Sequence, residues 1–192
     1  MIELEINNEH KIIKFCNEIK DLIPNLDKYG WNKKFICEPN NIHYQNTDSP
    51  NDFIVYNKFY ELIENIVYIM NNNNFSTILD LDYTKINTEF HYANTDDTIC
   101  YPHTAIHDDE GNGFLLNVVL VNVCICYFDI KCEDGELIFY DKDEKIIESI
   151  STKSQQLNHT KVIIFPGNLL HNPAPIINGY RYAISFQIPR FT

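Results

Sequence analysis

Between Asn8 and Ile23 the apolar residues Ile12, Ile13, Phe15, Cys16, Ile19, Leu22 and Ile23 recur at the spacing of one helical face, and Pro24 follows as a stop. A second stripe, Phe53, Ile54, Phe59, Leu62, Ile63, Ile66, Val67 and Met70, predicts a helix from about Pro50 to Met70. Asp48 or Ser49 would cap it, Pro50 would sit in its first turn, and the run Asn71 to Asn74 would end it. After residue 75 the helical period gives way to short β-branched and aromatic segments: "STILDLDY", "KINTEFHY", "FLLNVVLVNVCICYF", "GELIFYD", "KIIESIS", "KVIIF" and "RYAISFQI". They read as seven or more strands with turn signals between most of them. Two helices followed by a strand-rich half predict a mainly β fold with flanking helices, a sandwich or barrel with the helices packed outside it.

A chain of 192 residues suits one domain, here with residues 1–75 as helical support and 76–192 as the strand-rich core. The hydrophobic share of 44% and the aromatic share of 13% are those of a folded globular chain. Lys and Arg number 15 against 27 Asp and Glu, a formal charge of -12, so phosphate-rich partners would be repelled and nucleic acid is not expected. Of the six cysteines none forms a C-x-x-C pair, and Cys124 and Cys126 fall in the apolar run "VCICYF" as small buried thiols. Neither a signal peptide nor an apolar stretch of about 18 residues is present, which predicts a cytoplasmic, reducing location and no membrane span. Five of the six glycines lie in the strand-rich half, where each reads as a tight turn.

Polar chemistry gathers in "YPHTAIHDDEGNGF", Tyr101 to Phe114. If His107 lies at a strand end, side chains at i and i+2 share a face, so His107 and Asp109 would converge while Asp108 points away; Asp108 competes for the carboxylate role, and only this alternation separates the two. A third candidate, His171, follows an apolar strand and the turn Pro166–Gly167. Two neutral imidazoles and one carboxylate on one side of an ion make the facial triad of non-haem Fe(II) oxygenases, with three positions open. Arg181, ten residues after His171 and across a Gly179 turn, heads a buried segment in an acidic chain, where its guanidinium needs an anionic partner. A bound 2-oxo acid would supply one. Singly, each histidine reads as an ordinary hydrogen-bonding residue near a strand end; the set with Arg181 reads as a metal site. His103 has no acid two residues on and reads as a pocket-lining or surface residue, while Gly135 and Glu136 read as hairpin turn and strand start.

The series His107-x-Asp109, "DGELIFYD" from Asp134 to Asp141, and "VIIFPGNLLHNPAPIINGYRYAISF" from Val162 to Phe186 resembles the Fe(II)/2-oxoglutarate-dependent dioxygenases, particularly their prolyl-hydroxylase-like branch. The resemblance covers about residues 85 to 188. It implies a double-stranded β-helix, or jelly roll, with Fe(II) held by His107, Asp109 and His171 and the distal carboxylate of 2-oxoglutarate held by Arg181. O2 would be the second co-substrate and ascorbate an optional reductant, and 2-oxoglutarate would be decarboxylated to succinate as the substrate is hydroxylated. Where the branch often carries Ser or Thr two residues after the arginine, this chain has Ala183, with Ser185 two further on; Ser185 and the strand residue Tyr92 are therefore candidates for the missing polar contact. Nucleic-acid demethylases of the superfamily follow this arginine by a second one six residues on, where this chain has Gln187.

The implied substrate is a protein or peptide side chain, proline first. The same chemistry on a free amino acid or small metabolite, and a non-catalytic metal-binding jelly roll, are the alternatives.

Overall fold

The computed structural model describes residues 1–22, 36–38, 41–43, 52–74, 87–94, 102–105 and 121–189. In chain order the elements are β1 (Ile2–Asn7), α1 (Lys11–Leu22), β2 (Ile36–Glu38), β3 (Asn41–His43), α2 (Asp52–Asn72), β4 (Asn87–Asn94), β5 (Val121–Asp134), β6 (Leu137–Tyr140), β7 (Ile146–Ile150), β8 (His159–Pro166), β9 (Leu170–Pro173) and β10 (Ile176–Pro189).

Five strands form a large antiparallel sheet in the order β1-β8-β5-β10-β4, and a small sheet runs β7-β6-β9. The bridge between His103 and His171 adds a fourth position to the small sheet beyond β9. From β5 onward the chain steps to and fro, with β5, β8 and β10 in the large sheet and β6, β7 and β9 in the small one. That winding is the jelly roll expected from the sequence.

Strand alternation divides the interior in two. From the large sheet, Cys124, Cys126 and Phe128 of β5, Val162 and Ile164 of β8, and Tyr182, Ile184, Phe186 and Ile188 of β10 pack with Ile12, Ile13 and Cys16 of α1 and Ile63, Ile66 and Met70 of α2. The other face sends Val121, Val123, Ile125, Tyr127, Ile163, Phe165 and Ala183 against Leu137, Phe139 and Ile150 of the small sheet. The helices thus brace the outer face of the large sheet, and the second cluster lies between the sheets, where the site is.

Two irregularities set the phase of the long strands. Tyr182 pairs with Asp129 and Ile184 with Cys126, so β5 carries an extra residue there. Beyond it Ile130 joins the cluster between the sheets, although even-numbered residues before the bulge face the helices. Asp129, on the helix side, pairs with Lys20 of α1, whose ammonium also lies 4.6 Å from the centre of the Tyr182 ring. The second bulge is at Asn178 and Gly179, with φ of 59° and 88°. A Cβ on Gly179 would stand 1.6 Å from the Lys131 carbonyl oxygen, so only glycine fits.

Several expectations are amended. Residues 1–75 are not purely helical support, because Ile2–Asn7 is an edge strand of the large sheet paired with β8. Gly179 lies within β10, not in a turn before it. The first helix begins at Lys11, with His10 as its cap, and not at Asn8. The second runs to Asn72 and closes on Asn74 at φ 63°, so the asparagine run does end it. Its expected caps, the stop at Pro24 and the "STILDLDY" segment lie outside the described residues. Among the described residues no helix is long and apolar enough to cross a membrane.

Candidate active site

The short strand β9 owes its direction to the turn before it: Leu169 N–H donates to Pro166 O, and the chain reverses into Leu170. Within β9 the alternation buries His171, 5% exposed, opposite Phe139 of β6. Its ring lies 4.8 Å from that of Phe165, edge-on, and 6.3 Å from that of Phe139. Nδ1 is 2.9 Å from the Leu169 carbonyl oxygen. A carbonyl only accepts, so Nδ1 carries the proton and Nε2 the lone pair, the tautomer a metal-ligating histidine needs.

On the other side of β9 stands His103. Each of the two residues donates its N–H to the other's carbonyl at 2.9 Å. Directly opposed residues of an antiparallel pair share a face. Their ring centres are accordingly 4.6 Å apart with planes tilted by 51°. Phe139, His171 and His103 make one row across the small sheet, facing its larger partner.

Arg181 comes from the facing sheet. It is 6% exposed, and its Nη1 donates to the Gly135 carbonyl at 2.7 Å. Gly135 reaches that position because its φ is 94°, and the same oxygen accepts from Thr152 Oγ1 at 2.7 Å. The guanidinium carbon also lies 5.6 Å from the centre of the Tyr127 ring. Burial, partly offset by this cation, pushes the Tyr127 hydroxyl up to about 12. Among the described residues no carboxylate pairs with Arg181, so a buried, permanently charged fork is met by one neutral oxygen and an aromatic face.

Ser185 shares the face of Arg181, but its hydroxyl lies 2.9 Å from His91 Nε2 of β4. In register, Arg181, Ala183 and Ser185 pair with Ala93, His91 and Glu89, whereas Tyr92 pairs with Tyr182. His107 and Asp109 lie outside the described residues, and among those described no group of three or more His, Cys, Asp or Glu side chains is placed to hold a metal. The residues present fit the expected groups. His171 presents the correct tautomer from an aromatic wall, and Arg181 is a buried cation that meets no anion among the described residues. Nothing in the sequence pointed to Tyr127 and Thr152 around the arginine; Gly135, read there as a hairpin turn, also supplies the carbonyl that Arg181 meets, and His103, read as a pocket-lining or surface residue, stands beside His171.

No family model matches the chain, and no curated protein sequence does. Solved structures do match. A prolyl-4-hydroxylase of Pseudomonas putida aligns over 99% of this chain and 93% of its own at 10% identity, with a TM-score of 0.53. The viral collagen prolyl hydroxylase of Paramecium Bursaria Chlorella virus-1, in its 2-oxoglutarate complex, aligns over 100% and 97% at 12% identity and a TM-score of 0.54. A prolyl hydroxylase of Trichoplax adhaerens, in complex with a peptide fragment of the hypoxia inducible factor oxygen degradation domain, aligns over 98% and 83% at 12% identity and a TM-score of 0.52. The chain therefore has the fold of the prolyl-hydroxylase-like 2-oxoglutarate oxygenases.

Proposed function

We propose that the chain is an Fe(II)/2-oxoglutarate-dependent dioxygenase that hydroxylates a protein or peptide side chain, with proline as the first substrate to test. The observation that carries the reading is Arg181, a buried guanidinium whose described partners are neutral. It offers a bidentate anchor to the distal carboxylate of 2-oxoglutarate. Tyr127, whose ring lies beside the guanidinium, joins Tyr92 as a phenol that would donate to this carboxylate. Its hydroxyl stays protonated at neutral pH and so donates to an anion.

His171, with His107 and Asp109, would hold the iron. When bound, the iron supplies the redox centre at which O2 is consumed, one oxygen atom going to the substrate C–H as hydroxyl and the other to succinate, with loss of CO2. The chain's own contribution is positioning. Leu169 fixes the His171 tautomer, Phe139 and Phe165 keep water from one side of the ring, and Gly135 with Thr152 holds the arginine in place. A peptide substrate is favoured by likeness to a hydroxylase whose structure contains one. The reading keeps the chain in a reducing, cytoplasmic compartment.

The first experiment is anaerobic addition of Fe(II) and then 2-oxoglutarate, read by the visible charge-transfer band of a chelated keto acid. The band is expected in the parent and absent in His171→Ala. Arg181→Ala should keep its iron and lose 2-oxoglutarate affinity by at least 30-fold, the usual scale for removing one partner of a buried charge pair. Unchanged affinity in Arg181→Ala would remove the co-substrate from this site. Succinate formed with a proline peptide, and not with free proline, would separate the peptide from the metabolite substrate.

A further inference from the structure

The sequence gives His103 no chemical role, yet it stands alongside His171, which has the tautomer of a metal ligand. A ligating imidazole nitrogen sits about 2.1 Å from a divalent ion and about 1.1 Å from its own ring centre, so two rings at right angles around one ion have centres about 4.5 Å apart. The rings of His103 and His171 are 4.6 Å apart, and their backbones are locked by two mutual hydrogen bonds of 2.9 Å. We propose that His103 is a ligand of the resting metal centre, one imidazole more than the two-histidine, one-carboxylate set. The proposal rests on the dioxygenase reading for the remaining ligands.

Coordination number then dictates what His103 does in turnover. Three proteinaceous ligands and a chelating 2-oxo acid leave one position of six for O2, whereas four protein ligands and the same chelate leave none. His103 must therefore yield its position when the co-substrate binds, and in its absence it takes one of the three positions that the two-histidine, one-carboxylate set leaves open. His103 is built to do this. Its strand is attached through backbone hydrogen bonds to His171, which do not depend on its imidazole, so the ring can turn away without loosening the sheet.

The test uses Cu(II) as a paramagnetic probe and pulsed EPR to count coordinated imidazoles in the whole chain. The parent without 2-oxoglutarate should show one imidazole more than His103→Ala and His103→Gln, and the parent with 2-oxoglutarate should match the two variants. The glutamine variant keeps a polar side chain of similar reach, and thermal melts of both variants near that of the parent exclude misfolding. Equal counts in parent and variants without co-substrate would overturn the proposal, as would a count in the parent that 2-oxoglutarate leaves unchanged. The dioxygenase reading fails on a different result, the absence of the Fe(II) and 2-oxoglutarate charge-transfer band in a parent that binds metal.

Discussion

Gly135 and Arg181 depend on one another. The φ of 94° turns the glycine carbonyl toward Nη1 and Thr152, and a methyl on that Cα would lie 3.1 Å from Nη1. Gly135→Ala should therefore act twice. Strained backbone lowers stability by about 1–3 kcal/mol, measurable by denaturant unfolding, and the displaced guanidinium weakens 2-oxoglutarate. Thr152→Val is the comparison: it removes one hydrogen bond to the same oxygen, costs about 1 kcal/mol, and should leave co-substrate affinity close to the parent's. Parental affinity in Gly135→Ala would mean that the carbonyl does not position Arg181. At this scale the sequence spoke through side chains alone. Arg181 and His171 were legible because a cation and an imidazole in β-rich surroundings need partners. The Gly135 carbonyl was not, because a backbone oxygen's direction follows φ and not residue type. Ser185 was singled out for its hydroxyl as a candidate contact to the co-substrate, but the described partner of that hydroxyl, His91, is 94 residues away, a distance no local pattern spans.

Among the elements, alternation and helical period located most strands and both helices, and what they missed has identifiable causes. The edge strand β1 carries a period of two in Ile2, Leu4 and Ile6, with Glu3 and Glu5 between, but it is short and a helix follows at once. Its acids answer Lys161 of β8, at 2.7 Å from Glu3 and 3.4 Å from Glu5, a pairing invisible without the fold. The faces of "VCICYF" were illegible because every residue in it is apolar, so alternation has nothing to mark; Tyr127 turned out to face the site and Cys126 the helices. This division of faces predicts that stability and binding separate by element. Ile66→Ala, in the wholly buried stripe of α2, should cost about 2–5 kcal/mol in unfolding free energy while leaving the Fe(II) and 2-oxoglutarate band at parental affinity. Loss of the band in a folded Ile66→Ala protein would show that the helix side and the site side are not independent.

For the whole molecule, Tyr127 and Lys161, two of the buried groups with raised proton affinity, make stability fall in alkali. Burial holds the Tyr127 hydroxyl up to about 12, against the pull of Arg181. At Lys161 burial favours the neutral amine, but Glu3 and Glu5 outweigh it and the ammonium is held above its usual value. Each group binds its proton more tightly folded than unfolded. The stability it contributes is therefore complete below its ordinary pKa, near 10 for the phenol and about 10.5 for the amine, and is lost as pH rises through the folded value. Urea midpoints from about pH 9 to 11.5 should decline, and decline less in Tyr127→Phe. Equal slopes would place the phenol in water.

The extra residue in β5, between the pairs Tyr182–Asp129 and Ile184–Cys126, bears on how this chain can change over generations. Upstream of it the odd-numbered residues line the site, and downstream the even-numbered ones do, through Ile130 and Cys132 to the bend at Gly135. A codon lost or gained elsewhere in the strand would send every later side chain through to the opposite face and part Arg181 from its carbonyl. At the bulge, by contrast, the strand already holds one residue out of step, so codon loss or gain there is an error that a second one a few positions away can cancel. Length variation among descendants of this sequence should thus accumulate around Phe128 and Asp129 in compensating pairs.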